Sequence, residues 1–151
     1  MASKRKGSTR QDAKARRRLW IGVSASSLDA RPNESWWCAP KDAAPGDSLV
    51  MYQRLLGIAR LERIESPPEI RESRCSDANL LTVKTRFLFA IDPPITAREL
   101  RTHTILRDLA AVRRSFQGTC FRVPEEYLLH LWRLVEARRG RAAAANKARS
   151  V

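Results

Sequence analysis

The run Trp36–Pro40 (WWCAP) and the turn Pro45–Asp47 (PGD) that follows it most constrain how this chain folds. A residue before proline is pushed towards extended geometry, so we expect the tryptophan pair at a strand end or in a loop rather than in a helix. Proline fixes φ and glycine tolerates positive φ, which predicts a tight turn at 45–47. The alternating residues of Ser48–Arg54 predict a strand directly after that turn. Two of the four tryptophans are therefore expected beside one turn.

Further strands and helices follow from periodicity and capping signals. Gly57–Ile64 alternates apolar and charged residues, which indicates a half-buried antiparallel strand with its arginines and glutamate facing solvent. Thr96 and Glu99 have the spacing of a capping box, and Pro124 is a favoured first residue of a last helix. The remaining predicted strands are Leu19–Ser24, Leu80–Ile91 and Phe121–Val123. The order predicts an α+β fold, a small and mainly antiparallel barrel with helices packed at its openings.

The charge of the chain is concentrated at its two ends. Residues 1–18 hold eight basic residues and one acid, and residues 138–151 hold five basic residues and no acid, so the ends carry +12 of the net +13. We expect a disordered basic tail at 1–17, a nearly neutral domain at 18–137 and a second basic tail at 138–151. Cationic tails attract polyanions whatever their sequence, by releasing counterions.

Cysteine, histidine and hydropathy patterns exclude several classes of protein. The three cysteines are 37 and 45 residues apart without a CxxC motif, which argues against a disulfide framework or a zinc site. The two histidines have no second ligand at metal spacing, so we predict no metal and no cofactor. No apolar run is long enough for a membrane span or a signal peptide. We expect a soluble cytoplasmic protein, with association with the nucleoid as an alternative, and no membrane partner.

The tryptophan pair suggests binding rather than catalysis. Motifs of common hydrolases and nucleotide-binding enzymes are missing from the sequence. Indole is a large flat π surface, and proteins that hold one unpaired base often stack it on such a surface. The alternative for Trp36 and Trp37 is an ordinary structural role in the barrel.

Three motifs in this order carry a resemblance to a known family. They are the pattern WWC-x-P-x4-PGD-x-L-x2-Y at 36–52, the tripeptide GIA at 57–59, and the pattern L-x2-VR-x2-FQG-x3-RVP at 109–124. This combination resembles the EVE domain of the PUA-like superfamily over roughly residues 18–136. The resemblance implies a PUA-like pseudo-barrel that binds nucleic acid, often by holding a modified base in a pocket. The more familiar EVE pattern has Lys-Ser-Glu-Pro after its first strand, where this chain has Ser24–Ser27 (SASS), which leaves the bound base open.

The resemblance, together with the stacking argument, yields a set of candidate site residues. Ser24 and the Trp37–Cys38 pair are similar to pocket elements of the distantly related YTH readers of methylated adenine. In this hypothesis Trp37 stacks on the base and either Trp36 or Phe116 closes the cage. The candidate base-binding residues are Ser24, Trp36, Trp37, Cys38, Phe116 and Gln117. The candidate phosphate-binding residues are Arg31, Lys41, Arg54, Arg86, Arg113 and Arg114.

Two other functions remain open from the sequence. One is a general binder of DNA or RNA in which the basic tails supply the affinity and no base pocket exists. The other is a small nucleoside-processing enzyme similar to the ASCH barrels, which could recruit Lys41, Asp47, Glu62 or Lys84. A non-enzymatic reader of a modified base in DNA or RNA is the preferred hypothesis.

Overall fold

The computed structural model describes residues 17–28, 31–71, 75 and 79–149, with side chains described as far as residue 139. Of the predicted basic tail 1–17, only Arg17 lies within this part of the chain. The affinity and disorder expected of residues 1–16 therefore concern residues outside the described ones.

A curled six-stranded sheet forms a half-barrel at the centre of the fold. The strands are β1 (Leu19–Ser24), β2 (Glu34–Pro40), β3 (Ser48–Gln53), β4 (Gly57–Ile64), β5 (Leu80–Ile95) and β6 (Cys120–Arg122). They lie in the order β2-β5-β4-β3-β1-β6. The β1–β3 pair is parallel and the other four pairs are antiparallel, so the expected α+β class and mainly antiparallel sheet are confirmed.

The interior of the curl is filled by one apolar cluster to which all six strands contribute. The members or packed neighbours of this cluster include Trp20, Trp37, Met51, Ala59, Val83 and Cys120. The two outermost strands, β2 and β6, meet each other across the opening. The indole Nε1 of Trp37 in β2 donates a hydrogen bond to the carbonyl of Thr119, just before β6, at 3.3 Å. The sheet is therefore bent far enough for its edges to touch.

The helices cover the outer face of the sheet, although we expected them at the openings of the barrel. In the described residues the α-helices are α1 (Ala97–Thr102), α2 (Ala110–Arg113) and α3 (Glu125–Arg149), with a 3₁₀ turn at Leu106–Asp108. Leu100, Leu131 and Val135 join a second buried cluster with the outward-facing residues of β1, β3, β4 and β5. The sheet is thus apolar on both faces, which explains why β1 is buried along its whole length.

Local signals predicted some elements well. Strands β1 and β4 have the predicted bounds, and the Thr96 hydroxyl accepts the Glu99 amide at 3.1 Å, as a capping residue should. Strand β5 continues beyond Ile91 to Ile95 because its two prolines fall where the β4–β5 register is irregular and no ladder donor is needed.

Two predictions about strands are wrong. Trp36 and Trp37 lie inside β2, paired with β5, and not in a loop or at a strand end. Arg60 and Glu62 of β4 are only 8% and 1% exposed, although we expected them in solvent. Their face of β4 points into the half-barrel, where the charges compensate each other.

Cys38 and Cys75 form a disulfide, contrary to the expectation from their spacing. Their Cα atoms are 5.7 Å apart although 37 residues separate them in sequence. The connection after β4 returns along β5, where Glu69 forms a bridge with Thr82, and this path brings Cys75 beside β2. The fold therefore brings Cys38 and Cys75 together, which their spacing in the sequence does not reveal.

The predicted boundary at residue 138 does not coincide with the end of a structural element. Helix α3 continues without a break to Arg149. Arg138 is only 6% exposed, and its guanidinium bonds the Glu99 carboxylate and the Leu134 carbonyl. This basic residue belongs to the folded domain and not to a free tail. No helix among the described residues combines the length and apolarity needed to cross a membrane.

Candidate functional site

The C-terminal ends of β1 and β3 form one rim of the half-barrel, because these two strands run parallel. Ser24 ends β1 and pairs with Gln53 at the end of β3. The Arg54 amide donates to the Ser24 carbonyl at 3.0 Å. The Val23 amide donates to the Thr119 carbonyl at 2.9 Å, which brings the chain before β6 to the same place. We call the edge formed by Ser24, Gln53, Arg54 and Thr119 the upper rim.

Trp37 lies inside the half-barrel, next to the upper rim. Its indole is half-buried and reaches across to Gly22, two residues before Ser24 on the same face of β1. A Cβ atom on Gly22 would lie 2.8 Å from the indole Nε1 and 2.8 Å from Met51 Sδ. Only glycine therefore leaves room for this indole. Sequence reasoning missed Gly22, because a glycine in a strand signals close approach only once its neighbour is known.

Trp36 faces the opposite side of β2. Successive side chains in a strand point to opposite faces, so the two indoles cannot line one pocket. The Arg71 guanidinium lies 3.6 Å from the centre of the Trp36 ring, on the side of the connection after β4. A cage built from both tryptophans is excluded by this geometry, and Trp37 is the one that faces the interior.

A buried ion-pair network fixes the loop between β1 and β2. Both carboxylate oxygens of Glu62 are used, by Arg31 at 2.7 and 2.9 Å and by the Thr85 hydroxyl at 2.6 Å. Arg31 also donates to the Trp36 carbonyl at 3.3 Å, and its guanidinium carbon lies 5.2 Å from the Trp37 ring centre. Arg31 is thus engaged inside the protein, which argues against its predicted role in binding phosphate.

Arg60 completes this network from β4. Its Nε lies 2.9 Å from Glu62 without the alignment of a hydrogen bond, and its Nη1 donates to the Leu28 carbonyl at 3.2 Å. Burial lowers the pKa of Arg60, and the neighbouring Glu62 carboxylate opposes that shift. The two arginines and one glutamate hold the β1–β2 loop against the interior and help to position Trp37.

The other candidate base-binding residues have different positions. Phe116 is 2% exposed and stacks on Tyr52 with ring centres 3.7 Å apart, so it packs in the outer core and does not close a cage. Cys38 is held in the disulfide. Gln117 is exposed two residues before Thr119, and Ser24 is 9% exposed with its hydroxyl bonded to the Ser26 backbone. Ser24 and Trp37 are therefore the candidates that lie at the upper rim, and Gln117 is near it along the chain.

Arg54 is an exposed arginine of this rim, and further exposed arginines lie on the helices that cover the outer face of the sheet. Burial raises the pKa of the Tyr52 hydroxyl, while the positive charges of Arg101 and Arg54 oppose the rise, so both guanidiniums lie within electrostatic reach of that hydroxyl. Arg113 and Arg114 are exposed at the end of α2, just before Phe116. The sequence predicts Arg54, Arg113 and Arg114 as phosphate ligands but not Arg101, because the capping box that predicts its helix does not reveal which residues lie near it.

The remaining phosphate candidates lie elsewhere. Lys41 is exposed in the turn that leads to the start of β3, at the opposite end of that strand from Arg54. Arg86 is 57% exposed and forms ion pairs with Glu34 at 3.6 Å and Glu65 at 3.7 Å. Neither side chain is part of the upper rim, so the predicted set divides into rim and non-rim residues.

Three of the four residues considered for catalysis, all except Lys41, have structural partners that the following contacts describe. Glu62 is held as described, and Lys84 pairs with Glu34 at 3.6 Å. Asp47 is 2% exposed and accepts hydrogen bonds from the Arg18 amide, the Ala44 amide and the Trp20 indole. In the part of the chain that the structure describes, no group of three or more histidine, cysteine or acidic residues is placed to hold a metal ion.

Comparison with known proteins shows that several solved structures share this fold. No family model matches the chain, and the curated proteins give no match. Among solved structures, a crystal structure from Pseudomonas putida is similar at TM-score 0.62 and 16% identity, covering 77% of this chain and 98% of that one. A hypothetical protein from Leishmania major is similar at TM-score 0.60 and 16% identity, over 80% and 96% of the two chains. An NMR structure from Rhodopseudomonas palustris is similar at TM-score 0.57 and 17% identity, over 82% and 93%. At these identities the likeness concerns the fold alone.

Proposed function

We propose that this protein is a PUA-like module that binds DNA or RNA and holds one base, modified in the preferred hypothesis, against Trp37 at the upper rim. The observation that carries the proposal is a half-buried indole inside the half-barrel, bordered by Gly22 and Thr119 and next to a rim that includes the exposed Arg54. Catalysis has no part in the proposal.

The chemistry at Trp37 suits a planar ligand. Its only polar atom, Nε1, already has a partner in the Thr119 carbonyl, so what the indole can offer to a ligand is its apolar ring surface. Aromatic rings of this kind bind bases of any sequence by stacking, for about 1–3 kcal/mol each. We assign hydrogen bonds to the edge of the base to Gln117, which is exposed two residues before Thr119, and to Ser24 of the rim, whose hydroxyl exchanges its Ser26 partner for the base. The preference for a modified base rests on the resemblance to EVE domains.

The positive charges suit the backbone of a nucleic acid. Arg54, Arg101, Arg113 and Arg114 are exposed on the elements that border the rim. Phosphate contacts position a protein on its nucleic acid, whereas contacts to the base determine selectivity. We assign the first role to these arginines and the second to Trp37.

A second candidate function is general binding through the charged ends of the chain. The observation in its favour is that residues 1–18 hold eight basic residues against one acid. In that case affinity would depend on salt and would be indifferent to the state of any base.

The two tryptophans provide a matched pair for testing the pocket. Trp37→Ala should weaken binding of a preferred oligonucleotide by about tenfold or more, because the stacking surface is lost. Trp36→Ala, the same change one residue away on the opposite face of β2, should change the affinity by about twofold at most. Fluorescence anisotropy with a panel of modified DNA and RNA oligonucleotides measures both.

A folding control accompanies this test. Trp37→Phe keeps an aromatic ring in the interior. It should therefore retain the fold, as measured by thermal denaturation, and part of the affinity. Equal losses in the Trp36 and Trp37 variants, or no loss in either, would reject the assignment of the pocket to the interior face of β2.

A further inference from the structure

The tip of the β3–β4 hairpin presents an unusual apolar residue to solvent. Leu55 is fully exposed, and Leu56 beside it is 44% exposed. Leu55 has a φ of +71°, a left-handed conformation that a bulky side chain rarely adopts and that glycine or asparagine would accept at lower cost. The chain thus keeps an apolar side chain at a position where both exposure and backbone geometry disfavour it.

This tip lies at the upper rim. Arg54, the residue before Leu55, donates its amide to the Ser24 carbonyl, and Leu56 closes the turn by donating its amide to Gln53 at 3.0 Å. The turn is also fixed from below, because a Cβ on Gly57 would lie 2.3 Å from the Ile95 carbonyl. Leu55 therefore projects from a well-anchored turn beside the proposed base site.

The charge around the tip identifies the chemistry of a partner. Arg54 is adjacent in sequence, Arg101 lies near the Tyr52 hydroxyl at the end of the same strand, and both are exposed. An apolar tip flanked by cations is suited to a nucleic-acid duplex, where the cations meet phosphates and the apolar group meets the faces of bases. An apolar protein partner would gain nothing from these cations.

We propose that Leu55 is a wedge that enters a nucleic-acid duplex and fills the gap left by the base held at Trp37. This inference rests on the proposed function. A base that leaves a duplex loses its stacking and its pairing partner, and apolar side chains inserted between base steps are a known means of offsetting that cost. A single strand has no paired stack to open, so the wedge should matter for duplexes alone.

The test compares duplex and single-strand binding by the full chain. The probes are one oligonucleotide as a single strand and the same strand in a duplex with one mispaired base, with 2-aminopurine next to the mispair. Leu55→Asn keeps a residue that tolerates positive φ but removes the apolar side chain. We expect it to lower duplex affinity by about tenfold, to leave single-strand affinity unchanged within about twofold, and to abolish the rise in 2-aminopurine fluorescence on binding.

Two further variants serve as controls. Leu55→Met keeps an apolar side chain at the tip and should retain most of the duplex affinity. Leu129→Asn makes the same chemical change at a 58% exposed leucine of α3 and should leave both affinities unchanged.

The outcomes separate this inference from the proposed function. Equal effects of Leu55→Asn on both probes, or no effect on the duplex, would overturn the wedge while leaving the Trp37 site intact. Failure of the wild-type protein to bind either probe or any modified oligonucleotide would overturn the proposed function, and the wedge with it.

Discussion

Asp47 connects a short sequence motif to the stability of the whole half-barrel. Its carboxylate accepts the Arg18 amide at 3.0 Å, the Trp20 indole at 2.9 Å and the Ala44 amide at 3.0 Å. These donors come from β1 and from the turn before β3, so one side chain fixes where two adjacent strands begin. The aspartate of the PGD motif is therefore structural, at the end of β3 opposite the upper rim.

Replacing Asp47 should destabilise the fold strongly. Asp47→Ala leaves a buried indole donor and two backbone amides without their acceptor, and each such donor costs about 1–3 kcal/mol. Since the losses overlap, we expect the free energy of unfolding to fall by roughly 2–4 kcal/mol in urea titrations. Asp42→Ala removes the half-exposed partner of Arg18 and should cost about 0.5 kcal/mol or less. Similar losses in both variants would contradict the role assigned to Asp47.

Cys120 is a half-buried free thiol that should react slowly in the folded protein. Burial raises the pKa of its thiol to about 12, with a smaller contribution from the Asp42 carboxylate. Iodoacetamide reacts with the thiolate, so alkylation at pH 8 should be slow in the native state and fast in urea. The thiol ionises at a lower pH in the unfolded chain than in the folded protein. Its contribution to the free energy of unfolding should therefore fall as the pH rises from about 9 towards 12.

Mass spectrometry of the alkylated protein without reductant checks this prediction. Cys38 and Cys75 are bonded to each other and should remain unlabelled, which provides an internal control. Labelling of Cys120 as fast as in the unfolded chain would contradict the assigned environment.

Among the elements, the sequence-based prediction is least accurate for β2, where a loop or strand end was expected at Trp36 and Trp37. Pro40 correctly excludes a helix at the tryptophan pair, but it ends β2 at the sheet's edge, where its missing amide costs little. The residues before it are free to extend and pair with β5. A loop does not predict which way the side chains point, whereas a strand places Trp36 and Trp37 on opposite faces. This difference decides the geometry of the candidate site.

The predicted exposure of the charged residues in β4 is wrong for a related reason. Alternation of apolar and charged residues correctly predicted the strand and its bounds, and also that one face would be apolar. It could not reveal that Arg60 and Glu62 compensate each other inside a curled sheet, together with Arg31 from another loop. Periodicity reports which residues share a face, whereas the burial of that face depends on distant partners.

The candidate site shows the same division between local and distant information. Stacking chemistry and the family resemblance select Trp37, Ser24 and Gln117. Ser24 and Trp37 lie at the upper rim, and the role of all three in binding a base stays a prediction. Phe116 is predicted as a cage residue and Arg31 as a phosphate ligand from their places in the sequence, but their tertiary partners, Tyr52 and Glu62, hold them in other roles. Leu55 and Gly22 were missed because exposure at a turn and close approach in a strand are properties of the fold.

At the scale of the whole molecule, the proposal divides affinity and selectivity between separate regions. The domain between the two charged ends is nearly neutral, whereas the N-terminal residues supply a dense positive charge: Lys4, Arg5, Lys6, Arg10, Lys14 and Arg16–Arg18. Neutralising these residues should weaken binding of modified and unmodified oligonucleotides by the same factor and flatten the dependence of log affinity on log salt. The ratio of the two affinities should not change, since Trp37 is untouched.

Base binding at Trp37 is best tested by the ratio of the affinities of the full chain for a modified and an unmodified oligonucleotide, at about 50 and 200 mM salt. We predict that both affinities fall steeply with salt while the ratio stays well above one for at least one modification, and that Trp37→Ala brings this ratio close to one. A ratio of one at both salt concentrations for every modification tested, or a ratio that Trp37→Ala leaves intact, would contradict the claim that this half-barrel holds a base.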